Sequence, residues 1–346
     1  VEEAAASPGT ATDLRALVEV IGRAAAGLDL PRPRRPWLAP LPTSFVLPAA
    51  ASPGAAARRS PAVFGLEDFP ARQAQGPAVF DLAGGGHLLI AGSARSGRST
   101  ALRTLATSVA RSMSPSDVHL YGLDFGNGAL LPLAELPHCG AVVVRSGTER
   151  AERLVARLNR EVSHRQALLA SHGFGDIGEQ RKRTSVHERL PYVVVLIDRW
   201  EGVLAQYPPE SGSEVPGEIV RLAREGIGVG VRLVVAGDRS LLSDRLSSLV
   251  DDKLVLALSD RNDYRLVDIS PRAVPAVMPP GRALRAGSGR EVQVALLADD
   301  PAAAAQATEV ARVAKEAEAR WPAARQRNRP FRVDALPPSV DFDDDA

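Results

Sequence analysis

Gly92-x4-Gly97-Arg98-Ser99 follows the spacing of a phosphate-binding loop, G-x4-G-K-[ST], in every place but one: arginine stands where lysine is expected. Such a loop holds phosphate on main-chain N–H groups, here those of Gly92, Ser93, Ala94, Arg95, Ser96, Gly97, Arg98, Ser99 and Thr100, with the dipole of the following helix adding to the attraction. The Ser99 hydroxyl is the expected ligand for Mg²⁺. A second element of the same chemistry lies downstream. The apolar run 193–197 ends in Asp198, the form of a strand whose terminal carboxylate holds Mg²⁺ through water. The expected ligands are therefore a nucleotide and Mg²⁺.

Two departures bear on catalysis. Arg98 keeps a positive charge but replaces a compact ammonium with a bulkier planar fork. Arg199 follows Asp198, where a water-orienting glutamate is expected, and a cation there cannot act as a base. Glu201 is near in sequence, but strand geometry needs a bulge to bring it back to the site. Losing a general base costs about 10²–10⁴ in rate, so hydrolysis is expected to be slow or absent. Asp198 is the one catalytic candidate.

Other residues could join this site or have a plainer role. Asp124, in Leu-Asp-Phe-Gly, could reach the same sheet edge or could form a turn before Gly126. Gly237-Asp238-Arg239 sits where a γ-phosphate sensor is expected, and Arg239 reads equally well as a surface arginine. His138-Cys139 has metal-ligating types but no second cluster, so a buried loop is the expectation. Gln180-Arg181-Lys182-Arg183 reads as a basic loop without the aromatic residues that would stack on single-stranded nucleic acid.

The elements that must position these residues follow from hydrophobic patterning. An apolar run at 87–91 leads into the loop, and Leu102, Leu105, Ala106, Val109 and Met113 mark one face of the helix behind it. Further strands are expected at 118–124, 192–197, 231–236 and 253–258. Each is near-continuously apolar, as parallel strands covered on both faces must be. Helical periodicity lies at 149–170, 215–225 and 301–320. Strands separated by helices predict an α/β fold with a doubly wound, mostly parallel sheet and helices on both faces.

The chain of 346 residues is 45% hydrophobic, enough for a large core, and its net charge of +1 provides no global field for nucleic acid or an anionic surface. Cys139 is the only cysteine, which excludes a disulfide framework and fits a reducing compartment. No stretch approaches the roughly 20 apolar residues of a membrane helix, and no signal peptide opens the chain. Residues 1–60 read as a Pro/Ala-rich linker with one amphipathic helix, on which Leu14, Leu17, Val18, Ile21, Ala25 and Leu28 share a face. Residues 61–325 form the nucleotide-binding domain, and 326–346 a second linker with a solvated acidic tail. Arg35-Pro36-Trp37-Leu38 is echoed by Arg329-Pro330-Phe331-Arg332, 294 positions later, as in one period of a tandem array.

Taken together, the chain resembles the FtsK/SpoIIIE-type ATPase domain, in the form found as tandem copies in EccC motors of type VII secretion and related actinobacterial proteins. The residues that carry the resemblance are 35–42, Gly86 to Thr100, Val118 to Gly126 and Leu136-Pro-His-Cys-Gly140. Val195-Leu-Ile-Asp198, 228–234, Pro279-Pro-Gly-Arg-Ala283 and Gln293 also match. The resemblance spans about residues 11–340 and implies a RecA-like P-loop fold with an ATP site at the edge of each module. By the same resemblance, Gly92 to Thr100 would bind phosphate, and Asp198 would bind Mg²⁺. It also implies neighbouring ATPase modules in the same polypeptide, hexameric assembly of the full-length protein, and a membrane-anchored parent with its modules on the cytoplasmic face. Downstream modules of such arrays often have degenerate sites and serve regulation or recognition of a secreted protein. A DNA translocase is the disfavoured alternative, given the near-zero charge, and a pure interaction domain that binds no nucleotide is a third reading.

Overall fold

The computed structural model describes residues 12–28, 38–48, 62–322 and 328–335. Residues 35–37 of the first Arg-Pro-aromatic mark and the acidic run at 341–345 lie outside them, whereas its echo at 329–332 lies within. The chain divides into two units, Val1–Ala39 and Pro40–Ala346. In the first, α1 (Asp13–Gly27) is capped by the Thr12 side chain, which accepts from the Arg15 amide. The expected apolar face is present, and Leu14, Leu17, Val18 and Ile21 are exposed on it.

The second unit begins its sheet with β1 (Ala62–Phe69) and β2 (Ala74–Phe80), then β3 (Leu88–Ala91), α2 (Arg98–Ser112), β4 (Val118–Asp124) and β5 (Cys139–Val144). There follow α3 (Thr148–Ser171), α4 (Ile177–Arg183), β6 (Tyr192–Asp198), α5 (Trp200–Gln206), α6 (Val215–Glu225) and β7 (Val231–Gly237). The chain closes with α7 (Arg245–Leu249), β8 (Asp252–Leu256), β9 (Arg282–Arg285), β10 (Glu291–Val294) and α8 (Ala303–Arg320).

All ten strands join one sheet in the order β2-β1-β10-β9-β8-β3-β7-β6-β4-β5. From β8 to β5 every pairing is parallel, and β3 lies between β7 and β8. The five expected strands are therefore all present within this parallel half. Alternate residues supply opposite faces. Leu88, Ile90, Leu120, Val194 and Val234 pack with Leu102, Leu105 and Val109 of α2 and Val310 and Val313 of α8. Leu89, Leu123, Val193, Val195 and Ile197 pack with Leu154 and Leu158 of α3, Trp200 of α5 and Ile219 of α6. Helices on both faces satisfy the apolar surface that each continuous run exposes.

The other half, from β9 to β2, is antiparallel. Its β9 and β10 are four residues each, and the charged side chains of this half pair with one another. Glu67 on β1 pairs with Arg285 and Arg290, while Arg282 on β9 pairs with Glu291 of β10.

Two flanking segments are pinned to this frame. Arg282 Nη2 donates to the carbonyls of Leu41 and Pro42, and Val46 bridges Leu296. At the other end Phe331 stacks on Tyr121 with ring centroids 4.4 Å apart, under the Arg157 guanidinium. Its carbonyl accepts from the Tyr121 hydroxyl, and the His119 ring bonds the Asn328 carbonyl at 2.7 Å. The basic run 180–183, expected as a loop, is instead the end of α4. There Arg181 donates to Asp117 and to the Leu190 carbonyl, and Arg183 pairs with Glu179.

Candidate functional site

The loop between β3 and α2 emerges at the carboxyl edge of the parallel strands, where it must be to face Asp198. Gly92 continues the strand: its amide donates to the Gly237 carbonyl, and the Ser93 amide donates to Ala257. A Cβ on Gly92 would lie 2.8 Å from that of Leu256, so only glycine lets the neighbouring strand approach so closely. The Ser96 amide turns back to the Ser93 carbonyl. Ala94 and Arg95 form the exposed tip, with Arg95 at φ +62°.

Gly97 then starts α2 from φ +111°, with no side-chain cap. A Cβ there would sit 2.9 Å from the Gly281 amide, which itself donates to the Ser96 carbonyl. The Pro279-Pro280-Gly281 turn thus forms a floor under the loop. Gln293 bonds the Pro280 carbonyl and accepts from Arg282, which gives both of those motif residues a structural role.

What remains unsatisfied defines what the loop can hold. The amides of Ala94, Arg95 and Gly97 have no acceptor among the described residues. Those of Arg98, Ser99 and Thr100 open the helix and have no carbonyl a turn earlier to receive them. Six converging N–H groups at a helix N-terminus suit an anion of several oxygens.

Beside them the Ser99 hydroxyl donates to Asp198 Oδ2 at 2.6 Å. Asp198 Oδ1 is buried with no partner. Burial raises the carboxyl's pKa above its ordinary value, with Asp124 adding to the rise; the Ser99 bond and the Arg98 and Arg199 charges oppose it. A carboxylate with a vacant oxygen next to a hydroxyl is a fitting ligand pair for a hard divalent cation. Asp124 ends β4 opposite Asp198 in register. Both of its oxygens are occupied, accepting from the Gly126 and Leu130 amides, so it reaches the sheet edge and forms the turn at once.

Arg98 is paired with a carboxylate. Its Nη1 lies 3.1 Å from Glu201 Oε1, with 9% of its side chain exposed and 28% of the glutamate's. The sequence reading that Glu201 is out of reach is corrected here. Arg199 adopts φ +67°, ψ +76°, a left-handed turn between β6 and α5, and this single kink does the work of a bulge. Arg199 itself lies against Gly126, whose Cβ position is 3.2 Å from the Arg199 Nε.

Arg103 was not singled out from sequence. It sits one helical turn after Ser99, is buried, and its Nε has no hydrogen-bond partner. Burial lowers its pKa, and the charges of Asp198 and Asp124 sustain the cation. Its only sequence signal is its place, four residues beyond Ser99 on the same helix face.

The remaining candidates fall away from the site. Arg239 pairs with Asp263 on the surface. His138 bonds the Met113 carbonyl and meets Trp321 edge-on, Cys139 begins β5, and no metal-ligating cluster occurs among the described residues.

The glycine cradle, the Ser99–Asp198 pair and the sheet that joins them agree with what comparison finds. The FtsK/SpoIIIE family matches residues 54–283. The chain belongs to the FtsK/SpoIIIE family. It is 34% identical over 287 residues to the ESX secretion system protein EccC of Thermomonospora curvata, covering 78% of this chain and 21% of that protein. This member therefore spans about a fifth of the length of that relative.

Its fold is that of a structure of EssC ATPases 2 and 3 from Geobacillus thermodenitrificans, with a TM-score of 0.74 and 26% identity over 87% of this chain and 55% of that one. A structure of Thermomonospora curvata EccC ATPases 2 and 3 in complex with a signal sequence peptide matches with a TM-score of 0.70 and 29% identity, over 87% and 54%. The expected P-loop NTPase fold of the RecA-like kind is thereby established. No helix among the described residues is long and apolar enough to cross a membrane.

Proposed function

We propose that this chain is a nucleotide-binding module of a multi-domain EccC-like motor in type VII protein secretion, with residues 61–325 as the ATPase-like domain between linkers at 1–60 and 326–346. It binds ATP weakly, hydrolyses it slowly or not at all, and serves assembly, regulation or substrate recognition. One observation carries this reading: the free amides of Ala94, Arg95 and Gly97 to Thr100 stand beside the Ser99–Asp198 pair, while the loop cation is engaged by Glu201 and residue 199 is an arginine.

The cradle would take the phosphates of ATP on the main-chain N–H groups of Ala94, Arg95, Gly97, Arg98, Ser99 and Thr100, whereas the Gly92, Ser93 and Ser96 amides, also expected from sequence, are bonded within the fold. Ser99 and Asp198 would hold Mg²⁺, which when bound offsets phosphate charge. Asp124 keeps the Phe125–Leu130 loop closed at the edge of the site, and Arg103 balances the buried carboxylates from below.

The partners of this reading are the neighbouring ATPase modules of the same polypeptide, hexameric in the full-length protein, on the cytoplasmic face of a membrane-anchored parent. The structure of the EccC relative with a signal sequence peptide supports a secreted protein as the substrate. DNA is disfavoured by the net charge of +1 and by the pairing of Arg181 and Arg183 within the fold.

Calorimetric titration with ATP and Mg²⁺, together with a turnover assay on the same protein, tests the reading. Saturable binding with little turnover is expected. Turnover at the rate of an active motor domain, or no binding at all, overturns it.

A further inference from the structure

We infer that Glu201 is a built-in competitor for the phosphate-loop cation: it engages Arg98 until a triphosphate displaces it. The inference rests on the reading that the cradle takes nucleotide, and it adds how access is controlled.

A guanidinium fork binds carboxylate and phosphate by the same paired N–H donors, so the two anions compete for it directly. Glu201 engages one of those donors. One oxygen, Oε1, meets Arg98 Nη1 at 3.1 Å; the other, Oε2, accepts from the Asp238 amide at 3.1 Å. Both ends of the carboxylate are thus fixed, and the contact links three strand exits: the loop after β3, the helix after β6 and the turn after β7.

Arg98 has a second carboxylate in its neighbourhood, yet Asp198 is engaged by Ser99 through Oδ2 and keeps Oδ1 vacant. The pairing with Glu201 therefore engages the cation through Nη1 and leaves the Mg²⁺ ligand free.

The support is rigid. The left-handed turn at Arg199 places Glu201 in the first turn of α5, and Gly202 packs so closely on Phe125 that a Cβ would lie 2.9 Å from the Phe125 carbonyl oxygen. The start of α5 has no room to slide toward β4. Release must come from the Arg98 side chain swinging away, which frees the carboxylate that anchors the Asp238 amide.

Calorimetric MgATP titration of the full chain and of Glu201→Gln, Arg98→Ala and the double variant tests this. Glu201→Gln is expected to bind MgATP about tenfold more tightly, the scale of one charge-assisted hydrogen bond removed from the free state. In the Arg98→Ala background the same change is expected to have no effect. Equal or weaker binding by Glu201→Gln, with the unaltered chain binding normally, overturns the competitor and leaves the nucleotide reading intact. Absence of binding in every protein overturns both.

A second measurement needs no variant of Glu201 to fold. In the unaltered chain, the Arg98 Nε–H and Asp238 amide resonances, assigned with Arg98→Lys, are expected to shift together on MgATP titration. An Asp238 amide that stays in place at saturation overturns the proposal.

Discussion

Asp124 and Asp198 end neighbouring parallel strands at the same level, yet one carboxylate is saturated and the other is half empty. The difference follows from what comes next in the chain. Asp124 precedes a Gly126 loop whose amides fold back onto it, while Asp198 precedes a left-handed turn that carries the backbone away. The site thus keeps one structural acid and one acid available to a ligand.

Exchanging the two separates these roles. Asp124→Ala removes the acceptor of two buried amides and is expected to cost about 2–4 kcal/mol in chemical denaturation. Asp198→Asn removes a charge whose burial is unfavourable, so its unfolding temperature should equal or exceed that of the unaltered chain, and Mg²⁺ should no longer strengthen nucleotide binding. The Asp198 pKa is raised in the fold, so its penalty is complete above that raised pKa and fades as pH falls toward the ordinary carboxylate range. Asp198→Asn should remove this component of the pH profile.

Gly97→Ala places a methyl group at φ +111° and 2.9 Å from the Gly281 amide. About 1–3 kcal/mol of stability is expected to be lost. Nucleotide affinity should fall with it, since the loop and its floor must separate. Thermal unfolding and titration of the same sample measure both.

Three buried histidines make the fold sensitive to acid. His87, His119 and His138 are each pushed down to about 4 by burial. The neutral ring suits His87, which accepts from the Leu233 amide and bonds the Ala223 carbonyl through its other nitrogen. An unfolded histidine titrates near 6.5, so the unfolded chain binds more protons between that value and 4. Stability is therefore full above about 6.5 and declines as pH falls through this window, by about 1–3 kcal/mol for each ring. Denaturation midpoints at stepped pH check the slope, which His119→Gln should reduce.

Arg199→Gly tests the kink that brings Glu201 home. Glycine adopts φ +67° without the strain that a side chain meets there, so stability should rise by up to about 1 kcal/mol. Arg98–Glu201 pairing should persist, read from the Asp238 amide resonance.

Phe331→Ala removes a ring held between Tyr121 and Arg157. With the residue half-buried, a loss of about 1–3 kcal/mol is expected. Hydrogen exchange should quicken first at the Asn328–Asp334 segment, ahead of the β3–α2 loop.

The parts of this molecule that could be read directly were those governed by repetition and spacing. Leu88–Ala91, Val118–Asp124 and Tyr192–Asp198 are apolar throughout because helices cover both their faces, and the loop glycines are placed by steric need. What escaped reading depends on single backbone angles or on distant partners. No pattern announces the left-handed Arg199, so the return of Glu201 was invisible. Arg103 looks like a solvated cation until Asp124 and Asp198 are brought near it. The strands at Arg282 and Glu291 are too short and too polar to register alone, and they become strands by pairing with each other and with β8 and β1.

The floor of the cradle and the entrance of the chain into this domain meet at one place. Gly281 bonds the phosphate loop through Ser96, and the next residue, Arg282, holds the carbonyls of Leu41 and Pro42. Tension applied to the entering segment is transmitted along one strand end to the loop, without crossing the sheet. The reverse also holds: a loop that tightens around an anion draws on the tether by which the domain is reached.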